Sequence, residues 1–132
     1  MMTDGKDYPE KGEIWLIDYT YNYNPGTDSL EVESMLKKLR PSLIISNNEQ
    51  NKNTSDIIIC PITSKEIDEE KSFEMSLKSN SLNNLSKDSK ILLNLIFTVN
   101  KEFCLKRFIG KLNDKEIKLA EKKIKLVLDF SF

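Results

Sequence analysis

An α+β domain made mainly of antiparallel strands is the fold class this sequence predicts, and three observations carry it. Short apolar runs of strand type recur along most of the chain, they follow one another without a helix between each pair, and an amphipathic helix closes the sequence. Alternating βαβ units would instead interleave strands and helices.

The elements follow in order. Residues 1–10 are expected to form a flexible lead, and residues 11–132 a single domain. Glu13 to Tyr19 alternates as a strand, with Ile14, Leu16 and Asp18 on one side. Asn24-Pro25-Gly26 signals a turn. Asp28 to Leu39 predicts an extra helix between the first two strands: Asp28 and Glu31 have capping-box spacing, and Val32, Leu36 and Leu39 share a face. Pro41 cannot continue that helix and biases Arg40 toward an extended backbone. Ser42 to Ser46 is the second strand. Asn47 to Ser55, rich in Asn, is expected to be an exposed loop. Asp56 to Ile62 is apolar enough to be a central strand.

Further on, Ser72 to Lys78 alternates as a half-buried strand. Lys90 to Val99 holds two short strands or one bent one, and Lys101 to Lys106 a helical turn. Asn113 opens the last helix, with Glu116 at the capping-box position and Ile117, Ala120, Ile124 and Leu128 as its buried stripe.

The 132 residues suit one domain with a modest core, and the opening residues show no signal-peptide pattern. No apolar run approaches the roughly 20 residues that span a bilayer. Cys60 and Cys104 make no disulfide framework, and Cys60 reads as a small buried hydrophobe. A cytoplasmic protein without membrane contact is expected. The net charge of −1 lacks the basic excess of many nucleic-acid binders, yet charge is uneven. Lys37, Lys38 and Arg40 form one basic cluster, and Lys101, Lys106, Arg107 and Lys111 another. The two meet in one groove, or they are solvated faces.

There is no histidine, which removes Ser-His-Asp and Cys-His catalysis and the commonest metal ligand. Two separate cysteines do not build a zinc site, and no phosphate-binding glycine loop occurs among four glycines. No metal and no cofactor are expected. What remains is a cation entering one strand, Arg40, and a hydroxyl leaving the next, Thr63. If those strands are neighbours, both face one cleft.

Lys11-Gly12-Glu13-Ile14-Trp15, Arg40-Pro41-Ser42-Leu43-Ile44-Ile45, Pro61-Ile62-Thr63-Ser64 and Lys87-Asp88-Ser89 together resemble, in order and spacing, the PemK/MazF family of bacterial toxins. Those proteins are small endoribonucleases of toxin–antitoxin pairs. The resemblance implies a small SH3-like barrel (CcdB/PemK-like) with a C-terminal helix, a homodimer with an RNA channel across its interface, single-stranded RNA as substrate and a cognate antitoxin protein as partner. It also implies catalysis at Arg40 and Thr63, with Ser64 a weaker candidate. RNA supplies its own nucleophile, the 2′-hydroxyl, and arginine suits the phosphate because its fork is planar and stays charged.

Departures from the family pattern mark the site. Leu95 and Phe97 stand where relatives often carry glutamine and arginine, Asn94 where a carboxylate often stands, and Thr98 is kept. Lys37, Lys38, Phe97 and Thr98 are candidate RNA contacts. Phe97 is either a core aromatic or a platform for a base, and Trp15, Tyr19, Tyr21 and Tyr23 raise the same question. Two alternatives stand beside the nuclease: a weakened or inactive relative serving as an RNA- or protein-binding module, and a toxin that poisons a protein. Asp18, Glu31, Glu33 and Glu49 are all conceivable bases.

Overall fold

A computed structural model describes residues 8–20 and 38–129. The elements are β1 (Glu13–Asp18), β2 (Leu39–Ile44), α1 (Asn48–Asn53), β3 (Asp56–Thr63), β4 (Glu74–Leu77), β5 (Ser89–Leu92), β6 (Phe97–Asn100), α2 (Lys101–Cys104), β7 (Leu105–Lys111) and α3 (Asp114–Leu128). The strands form one sheet in the order β4-β5-β3-β2-β1-β7, with β6 added on β3. Every ladder is antiparallel. The sheet is open: among the described residues no ladder joins β4 to β7.

β3 organises the sheet because both of its edges are used. One edge carries β2. The other is shared, with β6 beside Asp56 to Ile59 and β5 beside Ile62 and Thr63. Its apolar sequence follows from that central position, since a strand covered on both faces has no polar side to show. Alternation then sends successive residues to two cores. Ile14, Leu43, Cys60, Ile62 and Ile91 face one, on which α3 packs Ile117, Ala120 and Ile124. Trp15, Ile17, Tyr19, Ile44 and Ile59 face the other, with Cys104 of α2. Each fully buried side chain of this size contributes roughly 1.5–3 kcal/mol.

Three local expectations change. Asn47 to Ser55 is largely the helix α1 rather than a loop. Its asparagines are structural: the Asn47 side chain accepts the Gln50 N–H as N-cap, and the buried Asn51 donates its amide to the Ser46 carbonyl at 2.9 Å. Leu39 belongs to β2, half exposed, not to a helix face, because Pro41 holds the chain extended before it. Residues 28–37 of the expected helix lie outside the described residues, as do Tyr21 and Tyr23, and Lys38 is an exposed bend rather than helix. The third change is β7, which no alternation in Leu105 to Lys111 announced and which pairs with β1 across two register shifts.

Other elements fall as expected. Lys90 to Val99 resolves into two short strands, and Lys101–Cys104 is a single turn of helix. Asn113 caps α3 in a complete capping box with Glu116. Leu128, expected in the buried stripe, is 46% exposed, because it borders an open hollow between the helix and the sheet. Burial pushes the Cys60 thiol up to about 12, which leaves it an unreactive core residue.

Candidate active site

Where β2 begins and β3 ends, the ladder between them stops. Its last pair is Ser42 with Pro61, and Pro41 follows on the other strand. Neither proline has an N–H to donate, so no hydrogen bond from either extends the ladder. Beyond that last pair, Arg40 and Thr63 lie at the same end of the two strands, and both line one cleft. Arg40 is independently paired with Ile17 on β1, and Thr63 with Lys90 on β5.

A cleft of about 360 Å³ opens at these strand ends. Arg40, Thr63 and Ser64 line it, over an apolar floor that includes Leu16, Ile62 and Ile109. Three more cations line it: Lys65, Lys87 and Arg107. No carboxylate is among the described residues that line it. In a chain of net charge −1, this is a local excess of positive potential suited to an anion.

The two central side chains are held differently. The Thr63 hydroxyl oxygen accepts the Lys65 N–H at 3.2 Å, which leaves its own proton to donate. The threonine is buried and its hydroxyl is fixed by a turn. Arg40 is half-buried, and its Nε is a buried donor with no acceptor among the described residues. A buried donor left unsatisfied costs about 1–3 kcal/mol.

Behind Thr63 stands a buried ion pair. Lys90 meets the Glu74 carboxylate at 3.0 Å and donates to the Glu69 carbonyl at 3.0 Å. Burial pushes the Glu74 carboxyl up, but the Lys71 N–H and the Lys90 ammonium outweigh it and hold the group below its usual range. Lys90 thereby ties the acidic segment that follows Lys65 to β5, and neither Glu69 nor Glu74 lines the cleft.

Other candidate residues lie elsewhere. Phe97 and Thr98 do not line the cleft, because β6 pairs with the opposite half of β3. Phe97 packs edge-on against Tyr19 with ring centroids 5.5 Å apart, an ordinary core contact. Trp15 packs likewise against Phe108 and donates its Nε1–H to Glu13 at 3.0 Å. Burial raises the Tyr19 hydroxyl, which sits against the Ser42 hydroxyl. Lys38 is exposed and outside the lining, and Lys37 lies outside the described residues. Among the conceivable bases, Asp18 accepts the Thr20 N–H at 2.9 Å and Glu49 sits on α1, both outside the lining; Glu31 and Glu33 are not among the described residues.

Of the second basic cluster only Arg107 reaches the cleft. Lys101 instead donates to the Asn51 carbonyl at 2.6 Å. Arg107 faces the cleft because it is paired with Leu16, whose other neighbour is Pro41. Its place in the cleft was hidden in the sequence because β7 itself was.

Fold and cleft together make this a small antiparallel-sheet protein whose strand ends gather cations around a hydroxyl. Residues 10–128 match the family described as PemK-like, MazF-like toxin of type II toxin-antitoxin system, and the chain belongs to that family. Solved structures agree in fold. An endoribonuclease from Mycobacterial species superposes with a TM-score of 0.70 at 16% identity, over 98% of this chain and 99% of the other. MazF from Deinococcus radiodurans gives 0.71 at 16% identity, over 95% and 100%. A Mycobacterial endoribonuclease in complex with its cognate antitoxin gives 0.68 at 17%, over 94% and 98%. The sequence has no significant match among curated proteins.

Proposed function

We propose that this chain is an endoribonuclease toxin that cleaves single-stranded RNA without a metal ion and is neutralised by an antitoxin. The observation that carries this is that Arg40 and Thr63, from the ends of β2 and β3 beyond their ladder, line one cleft with three further cations and, among the described residues, no carboxylate. In the reaction, the ribose 2′-oxygen attacks the adjacent phosphorus and loses its proton. The bond from phosphorus to the 5′-oxygen breaks, and that oxygen takes up a proton. A 2′,3′-cyclic phosphate and a 5′-hydroxyl end result.

Arg40 supplies charge to the phosphorane oxygens, where its fork is worth most as negative charge develops. Thr63 donates its free proton to a phosphate oxygen, and Ser64 assists from the exposed side. Single strands are the substrate because splayed bases let the backbone enter a narrow cleft. The protein acts as a homodimer in the cytoplasm. Family membership and the complex of a structural relative with its cognate antitoxin support an antitoxin partner.

A fluorescent RNA oligonucleotide tests the mechanism. Cleavage should persist in excess EDTA and disappear when a single deoxyribose replaces the scissile ribose. Activity lost on chelation would sink it. Phe97, packed in the core where relatives often carry an arginine, favours a second reading: a binding module that holds RNA and does not cut it. That protein would bind the deoxy-substituted and all-ribose strands equally and leave both intact.

A further inference from the structure

The cleft has a second wall that the Arg40–Thr63 pair does not use. Arg107 lies two strands from Pro41, with Leu16 between, which is roughly 10 Å across the sheet. Lys87 comes from the segment that crosses β7. That crossing is tight: the Asn84 amide donates to the Ile109 carbonyl at 3.1 Å, and the Lys111 N–H to the Leu82 carbonyl at 3.1 Å. At the crossing, a Cβ on Gly110 would sit 2.4 Å from the Asn83 carbonyl oxygen, so only glycine admits the approach. Asn83 is wholly buried and bridges its own segment, donating to Lys78 and accepting the Asn80 and Leu85 N–H groups.

The wall is therefore preorganised, with Lys87 and Arg107 held on adjoining backbone. Asp88, beside Lys87, does not cancel it: its carboxylate accepts the Ser79 N–H at 2.8 Å and is outside the lining. Both cations are exposed, and neither makes an ion pair among the described residues.

We propose that Arg107 and Lys87 form a second phosphate subsite, which holds a phosphodiester neighbouring the scissile one on the same RNA strand. This rests on the nuclease reading and deepens it. The subsite supplies from β7 the backbone charge that Phe97 does not offer from β6. Its ligand is a phosphate of the nucleic-acid backbone, so it fixes the register of the strand and carries no base preference.

The test uses the full-length chain and an RNA oligonucleotide with a single deoxyribose at the scissile position, so that binding is measured without cleavage. Affinity is followed by fluorescence anisotropy across a salt series. Each lost contact to a single strand should reduce the slope of log affinity against log salt by about 0.7. Arg107→Ala and Lys87→Ala should each do so, with affinity falling about tenfold at low salt. Arg107→Lys should restore the slope, which a merely structural role would not. Unchanged slopes in both alanine variants, with wild type binding normally, would overturn the subsite and leave the nuclease standing. Reduced slopes in a protein that never cuts the all-ribose strand would keep the subsite and remove the nuclease. A wild-type protein that binds no RNA would remove both.

Discussion

Two clefts in the described residues differ in size and in chemistry, in opposite senses. One, of about 550 Å³, lies between α3 and the first core, floored by residues such as Leu43, Ile45, Ile117 and Ile124. Its rim carries lysines and one carboxylate, Glu121, which is paired with Lys11. The other, of about 360 Å³, lies at the strand ends with Arg40 and Thr63, and among the described residues it has four cations and no carboxylate. A large apolar hollow is the usual first guess for a ligand site. Here the smaller one gathers the cations and the buried Thr63 hydroxyl. Volume follows how a helix sits on a sheet; the clustering of charge follows which strand ends converge. The difference extends to the ion pairs. The larger cleft is spanned by a half-exposed pair, whereas the smaller is backed by Lys90–Glu74, whose side chains are only 4% and 7% exposed.

The sharpest way to break the comparison is to remove the buried carboxylate. Glu74→Gln leaves the Lys90 ammonium buried without its counter-charge, and should cost about 3–5 kcal/mol in urea unfolding. The pH dependence has a definite sign. A carboxyl held below its ordinary 4.5 in the folded state contributes stability that is full above that value and is lost as pH falls through the lower, folded value. The stability gap between wild type and Glu74→Gln should therefore close below about pH 4.5. A gap that stays constant down to acid pH would mean that the pair is not the source.

Next in size is Arg40→Ala. Loss of one preorganised electrostatic stabiliser lowers turnover by roughly 100- to 1,000-fold, about 2.7–4 kcal/mol. Stability should change by less than about 1 kcal/mol, since the side chain leaves a buried donor without an acceptor. Lys118→Ala, on the rim of the larger cleft, serves as the matched control and should cut RNA at the wild-type rate. If the two variants behave alike, the smaller cleft loses its claim.

The parts of this contrast that the sequence reveals are those with a local cause. Asn113 and Glu116 announce α3 because a capping box is a short-range device. That Arg40 and Thr63 share a cleft is legible because two apolar runs with prolines near their polar ends are natural neighbours. The larger cleft and β7 are not legible. Leu105 to Lys111 has no clean alternation, because the bulged register with β1 interrupts the period of two. Arg107 could be named as part of a basic cluster, but its place opposite Leu16 depends on that non-local pairing. Asn47 and Asn51 mislead for a different reason. Composition marks asparagine as a loop residue, while here one caps a helix and the other is a buried tie.

The crossing that supports one wall of the smaller cleft gives a third, more moderate effect. Gly110→Ala places a methyl group 2.4 Å from the Asn83 carbonyl oxygen and 2.6 Å from that of Leu82. Both are backbone atoms, so the whole segment must move. Overpacking of this kind costs about 1–3 kcal/mol. Because Leu85, Ser86 and Lys87 of that segment line the cleft, RNA affinity should fall with stability. A variant that is destabilised and binds RNA as tightly as wild type would show that the wall is not part of the site.

The smallest effect should come from the ion pair across the larger cleft. The Lys11 and Glu121 side chains are 35% and 44% exposed, so water screens their attraction and their ordering entropy offsets much of it. Glu121→Gln should cost only about 0.2–1 kcal/mol, and less at high salt. Cleavage should be unchanged, because no described residue lines both clefts. Thermal melts at low and high salt, beside an RNA cleavage assay, check both halves. A loss of several kcal/mol would mean that the pair is far less exposed in solution than its geometry indicates. A loss of cleavage at constant stability would transfer the chemistry to the larger cleft, where the apolar floor offers no group to perform it.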